Sequence, residues 1–177
     1  MVTNQKCSNC SKQAKIRLSY TKRIYCNNCF LKIIEKRVRK ELRIKKYFKP
    51  NENIFLFNDN SKEYFVAKYL LNNIFEKHLN LKETKNKNIK GKLLIPTNLD
   101  REIKNKLNSY LENTAVEKTN IKILYNILEE EIINFCKIKG FKINNKDETN
   151  NLIEEIEKTH PGSKFSLSKS FENLSEK

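Results

Sequence analysis

The sequence has few residues that build tight loops and few histidines. Its 177 residues include three glycines, three prolines and two histidines. Loops that cradle phosphate groups need backbone without Cβ atoms, so we expect such loops to be scarce. No run approaches the roughly 18 apolar residues of a membrane-spanning helix, so we expect no membrane segment. Neither His78 nor His160 has a neighbouring nucleophile or carboxylate that would form a catalytic set.

Acidic residues are also in the minority. The chain has 36 Lys and Arg residues against 21 Asp and Glu residues, which gives a formal net charge of +15. This excess favours a polyanionic partner, and for a soluble protein the usual one is nucleic acid. The length is that of one ordinary domain, or of a small domain with a metal-binding appendix.

Four of the five cysteines stand in two pairs near the start of the chain. Cys7 and Cys10 form one C-x2-C pair, and Cys26 and Cys29 form the second after fifteen intervening residues. Four thiolates close the coordination shell of a tetrahedral ion, so we predict a structural Zn²⁺ and no catalytic metal. The alternative is two disulfides in a secreted protein. The first residues do not read as an apolar leader, and this favours metal binding in a reducing compartment.

A basic helix is predicted directly after the second cysteine pair, over residues 30–46. Its apolar stripe comprises Leu31, Ile34, Val38 and Leu42, which recur at three and four residues. The other positions are mostly Lys and Arg with little acidic interleaving, and this favours contact with phosphates over a merely solvated face. The candidate RNA-contacting side chains are Lys32, Lys36, Arg37, Arg39, Lys40 and Arg43.

The rest of the chain alternates short apolar runs with segments of helical periodicity. Strands are predicted at Ile54–Phe57, Leu93–Ile95 and Ile121–Tyr125, and helices at 62–79, 99–111 and 129–139, with a last helix that ends before Pro161. Gly140 stands where a left-handed helix cap belongs. Residues 80–91 are polar, so we predict a linker there. Strands that alternate with helices favour a parallel α/β sheet, here of three strands.

These features divide the chain into four parts. We predict a four-cysteine zinc module (1–30), a basic linking helix (31–49), a reduced α/β domain (50–160) and a C-terminal tail (161–177). A small sheet buries little area, and domains of this size gain stability from metals or partners. Five apolar side chains could therefore complete an interface with a partner, or could equally pack in the core: Phe65, Tyr69, Phe165, Phe171 and Leu174.

Both ends of the chain carry motifs that occur together in one known family. Near the start, Cys26-Asn-Asn-Cys29-Phe30 is followed by Glu35-Lys-Arg-Val-Arg-Lys40. Near the end stands Ile156-Glu-Lys-Thr-His-Pro161-Gly162-Ser-Lys-Phe165-Ser-Leu167-Ser-Lys-Ser170-Phe171. In these segments the chain resembles the tRNA uridine 2-thiolation family, whose members open with paired cysteines and a basic helix.

Two internal segments are similar to the same family. Pro96-Thr-Asn-Leu-Asp-Arg101 stands where the family has G-H-N-L-D-D, and Leu128 to Gly140 corresponds to its P-E-K-E-V-A-x-Y-A-x-L-K-G segment. The resemblance implies a parallel sheet of the PP-loop type. The fold class that we predict is therefore α/β, with an N-terminal four-cysteine zinc knuckle and a reduced, degenerate PP-loop domain with flanking helices.

The nucleotide-binding loop is where the chain departs most from that family. The family has S-G-G-K-D-S after its first strand, whereas this chain has Asp59, Asn60, Ser61, Lys62, Glu63 and Tyr64. Side chains block the close backbone approach to phosphates that glycines allow, and Asp59 and Glu63 add negative charge. We predict a degenerate nucleotide loop in which Asn60 or Ser61 caps a helix.

Catalytic cysteines are lacking as well. The segment that would carry them in the family is shortened to 80–91, and the family's later cysteine has no counterpart between Phe141 and Asp147. Cys136 falls on the core side of a helix, where a thiol is inert. Glu129–Glu131 mark a helix N-terminus, where carboxylates meet the helix dipole. We therefore predict no catalytic residue.

The resemblance implies a non-catalytic subunit. Such a protein would pair with a catalytic thiolation subunit, contact tRNA and support 2-thiolation of wobble uridine 34 in tRNAs for Lys, Glu and Gln. The sulfur would come from a thiocarboxylated ubiquitin-related modifier. We expect a cytoplasmic heterodimer with structural Zn²⁺. Two alternatives stay open: a zinc-ribbon RNA-binding protein unrelated to thiolation, and a minimal ATP-dependent tRNA thiolase that uses Lys62, Cys136 and a borrowed cysteine.

Overall fold

The computed structural model describes residues 5–48, 52–75, 80–114, 120–143 and 151–175. His78 and Asp147, which were named above, lie outside these ranges, as does the side chain of Leu174. None of the helices in the described part of the chain is long and apolar enough to span a membrane.

Two short strands and a long helix make up the N-terminal part. β1 (Ile16–Arg17) and β2 (Ile24–Tyr25) pair antiparallel between the two cysteine pairs. α1 (Asn27–Lys45) follows at once, and its buried stripe consists of Phe30, Ile34, Val38 and Leu42. Burying a side chain of this kind contributes about 1.5–3 kcal/mol, so the stripe fixes α1 firmly against the rest of the chain.

Four parallel strands form the central sheet. They are β3 (Ile54–Phe57), β4 (Leu81–Thr84), β5 (Lys92–Pro96) and β6 (Ile121–Ile123), in the spatial order β4-β3-β5-β6. The three predicted strands are confirmed, but the prediction of a linker over 80–91 is wrong because β4 lies within it. β4 is an edge strand with two exposed charged residues, so it lacks the apolar run that marks a buried parallel strand.

The remaining helices pack around the sheet and on one another. They are α2 (Lys62–Phe75), α3 (Leu99–Leu111), α4 (Glu129–Lys139), α5 (Asn151–Thr159) and α6 (Ser163–Ser175). α2 packs against α4 and α1, and α3 packs against α6. Gly140 caps α4 with φ of 70°, in the left-handed conformation that the sequence predicts.

The C-terminal helices contribute to the core. Phe165 and Phe171 pack against a buried cluster that contains Leu99. Phe65 and Tyr69 pack against the main core between the sheet and its helices. The core-packing alternative therefore holds for these four side chains. Their use in a partner interface and the four predicted domain boundaries stay predictions.

The chain reverses its direction across the sheet between β3 and β5. From β3 it passes through α2 to the outer strand β4 and then returns to the opposite side of β3. In parallel α/β sheets, ligands bind outside the carboxyl ends of the strands at such a reversal. The segments 58–61 and 97–98 leave the two central strands there, so this edge is where a nucleotide site is expected.

Candidate metal centre, basic helix face and filled crevice

The four predicted metal ligands lie together. The Sγ atoms of Cys7, Cys10, Cys26 and Cys29 are all within 4.8 Å of one another. The Sγ of Cys10 is 3.6 Å from the Sγ atoms of both Cys26 and Cys29. A disulfide requires about 2.05 Å between sulfurs, so these contacts are not disulfides. The cluster is a candidate metal site.

Local backbone structure explains why the sulfurs converge. The Cys10 N–H donates to the Cys7 carbonyl (3.3 Å), and the Asn9 N–H donates to the Cys7 sulfur (3.5 Å), so the first pair sits on a tight turn. Cys26 is the N-cap of α1, and Cys29 lies in its first turn. The Ser8 N–H donates to the Ile24 carbonyl and ties the first turn to β2 (2.8 Å).

The spacing of the sulfurs fits one tetrahedral ion. Zinc at about 2.3 Å from four thiolates separates the sulfurs by about 3.8 Å, close to the 3.6 Å found here. In a 4Fe-4S cluster each thiolate binds a different iron, which moves the sulfurs further apart. The donor set therefore fits a single tetrahedral ion, which Cys7, Cys10, Cys26 and Cys29 would hold.

The basic face of α1 is open to solvent. Lys32, Lys36, Arg39, Lys40 and Arg43 are all exposed and recur at three- and four-residue spacing on the side away from the buried stripe. Within this set Arg39 pairs with Glu35 at 2.8 Å, an exposed pair one turn away. Because these cations are exposed, the phosphates of a polyanion can reach them, at the entropic cost of fixing each long side chain.

Arg37 differs from the other five predicted RNA contacts. Its guanidinium lies 2.7 Å from the buried carboxylate of Glu131 and donates to the hydroxyl of Tyr20 at 2.5 Å. Tyr20 in turn donates to Glu131 at 2.8 Å. Burial lowers the pKa of Arg37, but the charges of Glu131 and Tyr20 and the hydrogen bonds to both together outweigh it, so the pKa lies above its usual value. Arg37 thus holds three parts of the chain together, and its contact with RNA stays a prediction.

This junction joins the cysteine module to the sheet domain. Tyr20 precedes β2, Arg37 lies on α1, and Glu131 lies on α4. The ring of Phe165 on α6 meets the Tyr20 ring edge-to-face with centroids 4.9 Å apart. Ser19 adds two hydrogen bonds to Glu130, from its N–H (3.0 Å) and its hydroxyl (2.6 Å). No sequence pattern predicts this junction, since its members are brought together only by tertiary packing.

The segment after β3 forms a helix start and no phosphate cradle. Asn60 adopts a positive φ of 56°, and its N–H donates to the Asn58 side chain. The Ser61 hydroxyl accepts from the Tyr64 N–H at 3.1 Å, which caps α2 as predicted. The Tyr64 hydroxyl bonds to Glu83 on β4. The turn is therefore closed by its own side chains.

Lys62 is the centre of a buried polar cluster at this edge of the sheet. Its ammonium lies 3.2 Å from Glu63 Oε1 and 3.0 Å from Glu129 Oε1, and its side chain is 2% exposed. The amide of Asn98 donates to Glu63 Oε1 (2.7 Å) and Glu129 Oε2 (2.6 Å). Arg101 adds an ion pair to Glu63 at 3.5 Å. Two carboxylates, two cations and an amide thus balance one another.

Three helices begin around this cluster. α2 begins at Lys62, α3 follows its N-cap Asn98, and α4 begins at Glu129. Helix N-termini attract anions because their first N–H groups carry partial positive charge. Here that attraction is met by the chain's own Glu63 and Glu129. A triphosphate in this crevice would face two buried carboxylates and an ammonium that is already paired, so the geometry disfavours it.

A second buried ion pair connects the C-terminal helix to the same region. Lys164 on α6 pairs with Asp100 and Glu154, and the other oxygen of Asp100 accepts from the Glu129 N–H at 2.6 Å. Burial lowers the pKa of Lys164, but the hydrogen bonds to Asp100 and Glu154 and the charges of both together outweigh it, so the pKa is raised. No feature of the sequence predicts this pair, although Lys164 stands within the C-terminal motif.

Cys136 is inside the core, as predicted. Its side chain is fully buried on α4. Burial and then the nearby charge of Glu63 raise the pKa of the thiol to about 11. A neutral, buried thiol is a poor nucleophile and a poor metal ligand. His160, by contrast, is exposed between α5 and α6.

A pocket of about 420 Å³ lies beside the filled crevice. Its wall includes the cations Lys87, Arg101, Lys106 and Lys122 and the acids Asp59 and Glu102. Lys122 pairs with Glu102 at 2.5 Å, and Arg101 with Glu63, so part of this charge is used within the protein. It is the place to look for residual nucleotide binding in the described part of the chain.

Comparison with solved structures identifies proteins of similar fold. No protein-family model and no curated protein matches the chain. The U34-tRNA thiolase NcsA from Methanococcus maripaludis, solved with its 4Fe-4S cluster, has a similar fold with a TM-score of 0.78. The two are 18% identical, and the alignment covers 97% of this chain and 88% of that chain. The predicted α/β fold with a parallel sheet and an N-terminal four-cysteine cluster is therefore confirmed.

Proposed function

We propose that this chain is a non-catalytic subunit that supports 2-thiolation of wobble uridine 34 in tRNAs for Lys, Glu and Gln. It would act as the heterodimer partner of a catalytic thiolation subunit and contact the tRNA. The observation that carries the proposal is a thiolase-type fold whose crevice at the strand ends is filled by Lys62, Glu63, Asn98 and Glu129.

The filled crevice argues for an assisting role. Adenylation of a uridine requires a triphosphate to approach backbone N–H groups closely, and glycines normally allow this. Here side chains line the turn, and two carboxylates occupy the helix N-termini that would receive phosphate oxygens. The chain also holds five cysteines, of which four form the metal site and the fifth is Cys136. The resemblance to thiolation subunits implies that a thiocarboxylated ubiquitin-related modifier supplies the sulfur, by way of the catalytic partner.

The RNA-binding surface that we propose combines α1 with the cysteine module. The five predicted contacts on α1 other than Arg37 are exposed. The cysteine module adds further exposed cations: Lys6, Lys12, Lys15, Arg17, Lys22 and Arg23. Each phosphate that such a cation neutralises makes the affinity more sensitive to salt. The four cysteines would hold Zn²⁺, which fixes the module and with it the start of α1. We place the protein in the cytoplasm, where tRNA thiolation subunits of this type act.

The direct test is reconstitution with tRNA. Affinity of the zinc-loaded chain for unmodified tRNA is measured between 50 and 200 mM salt, with the variant Lys36→Gln/Arg39→Gln/Lys40→Gln/Arg43→Gln beside it. The salt slope should fall by about one per lost phosphate contact. A control variant removes the same number of exposed charges elsewhere: Lys82→Gln/Lys85→Gln/Lys137→Gln/Lys169→Gln. Equal slopes for both variants would contradict the assignment of RNA contact to α1.

The subunit role is tested in cells. Tagged chain is recovered from native cells, and copurifying proteins are identified by mass spectrometry. Wobble-uridine thiolation is measured after deletion and after rescue by the wild type or by Cys136→Ser. We expect a catalytic thiolation subunit in the complex, loss of thiolation on deletion and full rescue by both genes. RNA binding without this partner or this loss would favour a zinc-ribbon protein unrelated to thiolation.

The cationic pocket beside Arg101 favours one competing function, a minimal ATP-dependent thiolase. Thermal unfolding with and without ATP and Mg²⁺, together with an assay for AMP formation, separates the two. We expect no shift of the melting temperature and no AMP from the purified chain. Stabilisation by ATP that is lost in Lys62→Met would overturn the non-catalytic assignment.

A further inference from the structure

A groove runs beside the second half of α1 and the end of α2. Its volume is about 910 Å³, and it joins two different kinds of surface. One wall is cationic and consists of Lys36, Arg39, Lys40, Arg43 and Lys46. The floor is apolar and consists of Leu42, Phe48, Ile74 and Phe75. Cations and flat apolar surface therefore face the same open space.

The floor presents aromatic rings. Phe48 and Phe75 meet edge-to-face, with centroids 5.2 Å apart and ring planes at 83°. Both side chains are half-buried, so part of each ring remains accessible. In an edge-to-face pair the edge of one ring covers one face of the other, so a flat partner would pack on the parts of the two rings that stay accessible.

The cationic wall has a regular spacing. Four of its members recur at successive turns of α1, Lys46 follows as the C-cap residue, and one helical turn advances about 5.4 Å. Such a row matches a chain of phosphates that follows the helix. A paired duplex keeps its bases inside and cannot bring them to the floor, whereas unpaired nucleotides turn their bases outward and stack on aromatic side chains. The volume is at the upper end of the range for small-ligand pockets, about 300–1,000 Å³, which suits one or two nucleotides.

We propose that this groove binds one or two unpaired nucleotides of an RNA loop, with bases on Phe48 and Phe75 and phosphates on the α1 cations. The inference rests on the proposed RNA contact of α1 and adds a preference for loop over duplex. The alternative occupant is an acidic, apolar peptide. Recognition would be tolerant of base identity, since every base has a flat face.

The experiment compares two fluorescent RNAs with equal numbers of phosphates, a hairpin with a seven-nucleotide loop and a blunt duplex. The whole zinc-loaded chain is used. In Phe75→Leu and Phe48→Leu, which keep an apolar side chain but remove the ring, affinity for the hairpin should fall about tenfold. Affinity for the duplex and the salt slope should not change. The control Tyr110→Leu removes a ring that is 71% exposed on α3, outside the groove, and should change neither affinity.

The outcomes separate this inference from the proposed function. Equal losses for hairpin and duplex in Phe75→Leu, or no loss for either, would overturn the stacking proposal. If Lys36→Gln/Arg39→Gln/Lys40→Gln/Arg43→Gln still lowers the salt slope in that case, α1 contacts RNA but the groove does not bind unpaired bases. An acidic peptide that binds the wild type but not Phe75→Leu, with hairpin affinity unchanged, would also overturn it. If the variants do not fold, 5-iodouridine in the hairpin loop of the wild-type complex should crosslink to Phe48 or Phe75, and adducts confined to other residues would refute it.

Discussion

Removing the charge of Lys62 should destabilise the protein strongly even though no ligand is bound. In the wild type the Lys62 ammonium lies 3.2 and 3.0 Å from the carboxylates of Glu63 and Glu129. Lys62→Met keeps the length of the side chain but removes this ammonium. Breaking a buried pair by deleting one partner costs about 3–5 kcal/mol because the other charge stays buried. For a chain of this size, about 2–4 °C of melting temperature corresponds to each kcal/mol. We expect a fall of roughly 6–20 °C.

The measurement is urea or thermal unfolding followed by circular dichroism, without nucleotide. A matched control lies on the same helix: Lys68 pairs with Glu83 at 2.6 Å, but the two side chains are 43% and 39% exposed. Exposed pairs contribute about 0–1 kcal/mol, so Lys68→Met should lower the melting temperature by a few degrees at most. Lys62→Met/Glu63→Gln/Glu129→Gln removes all three charges and should recover most of the loss.

Equal melting temperatures of Lys62→Met and the wild type would contradict this prediction. In that case Lys62 would not be a structural cation. A simultaneous loss of ATP-dependent stabilisation would identify it as a phosphate ligand of a working nucleotide site. Should Lys62→Met not fold at all, the triple variant still decides the question, since it must fold and be near wild-type stability if the cluster is self-contained.

Three further results are expected. Cys10→Ser should lower metal content from about one ion per chain toward zero by elemental analysis, and should abolish the tetrahedral absorption bands of the cobalt-loaded protein; retained metal would exclude Cys10 as a ligand. Arg37→Ala should destabilise by about 3–5 kcal/mol in urea unfolding, because it strands the buried carboxylate of Glu131, and adding Glu131→Gln should recover most of that loss; equal stability of Arg37→Ala and the wild type would contradict the junction. Cys136, with a pKa raised to about 11, should not react with iodoacetamide at pH 8 in the native protein whose other four cysteines hold metal, and should react only after unfolding. Modification of Cys136 in the native protein would mean that the thiol becomes exposed to solvent.

The elements with strong apolar periodicity were predicted from the sequence, often to the residue. Ile54–Phe57, Leu99–Leu111 and Glu129–Lys139 have the predicted bounds, because continuous or three- and four-residue apolar spacing decides where they begin and end. The sequence does not predict β4 because Leu81–Thr84 is an edge strand. Hydrogen bonds to β3 hold it in place, and it buries few side chains that would form an apolar pattern.

The metal site was predictable and the filled crevice only in part. Cysteine spacing alone determines the first, since ligands three residues apart can share an ion on one turn. For the second, the loop sequence indicated that phosphate could not approach. It gave no sign that Glu63 and Glu129, read as ordinary helix-start acids, would enclose Lys62. In parallel sheets the first residues of successive helices meet at one edge. Acidic residues at several helix starts are therefore expected to lie close to one another.

The outer strand β4 has a consequence for how the molecule behaves in a crowded solution. It presents an unpaired row of backbone donors and acceptors on its free side within the described chain, and a row of that kind templates addition of foreign strands. Lys82 and Glu83 stand exposed along it, and bringing a second apolar strand alongside would strip both charges of water. A sheet edge that ends in this way resists edge-to-edge association with another strand.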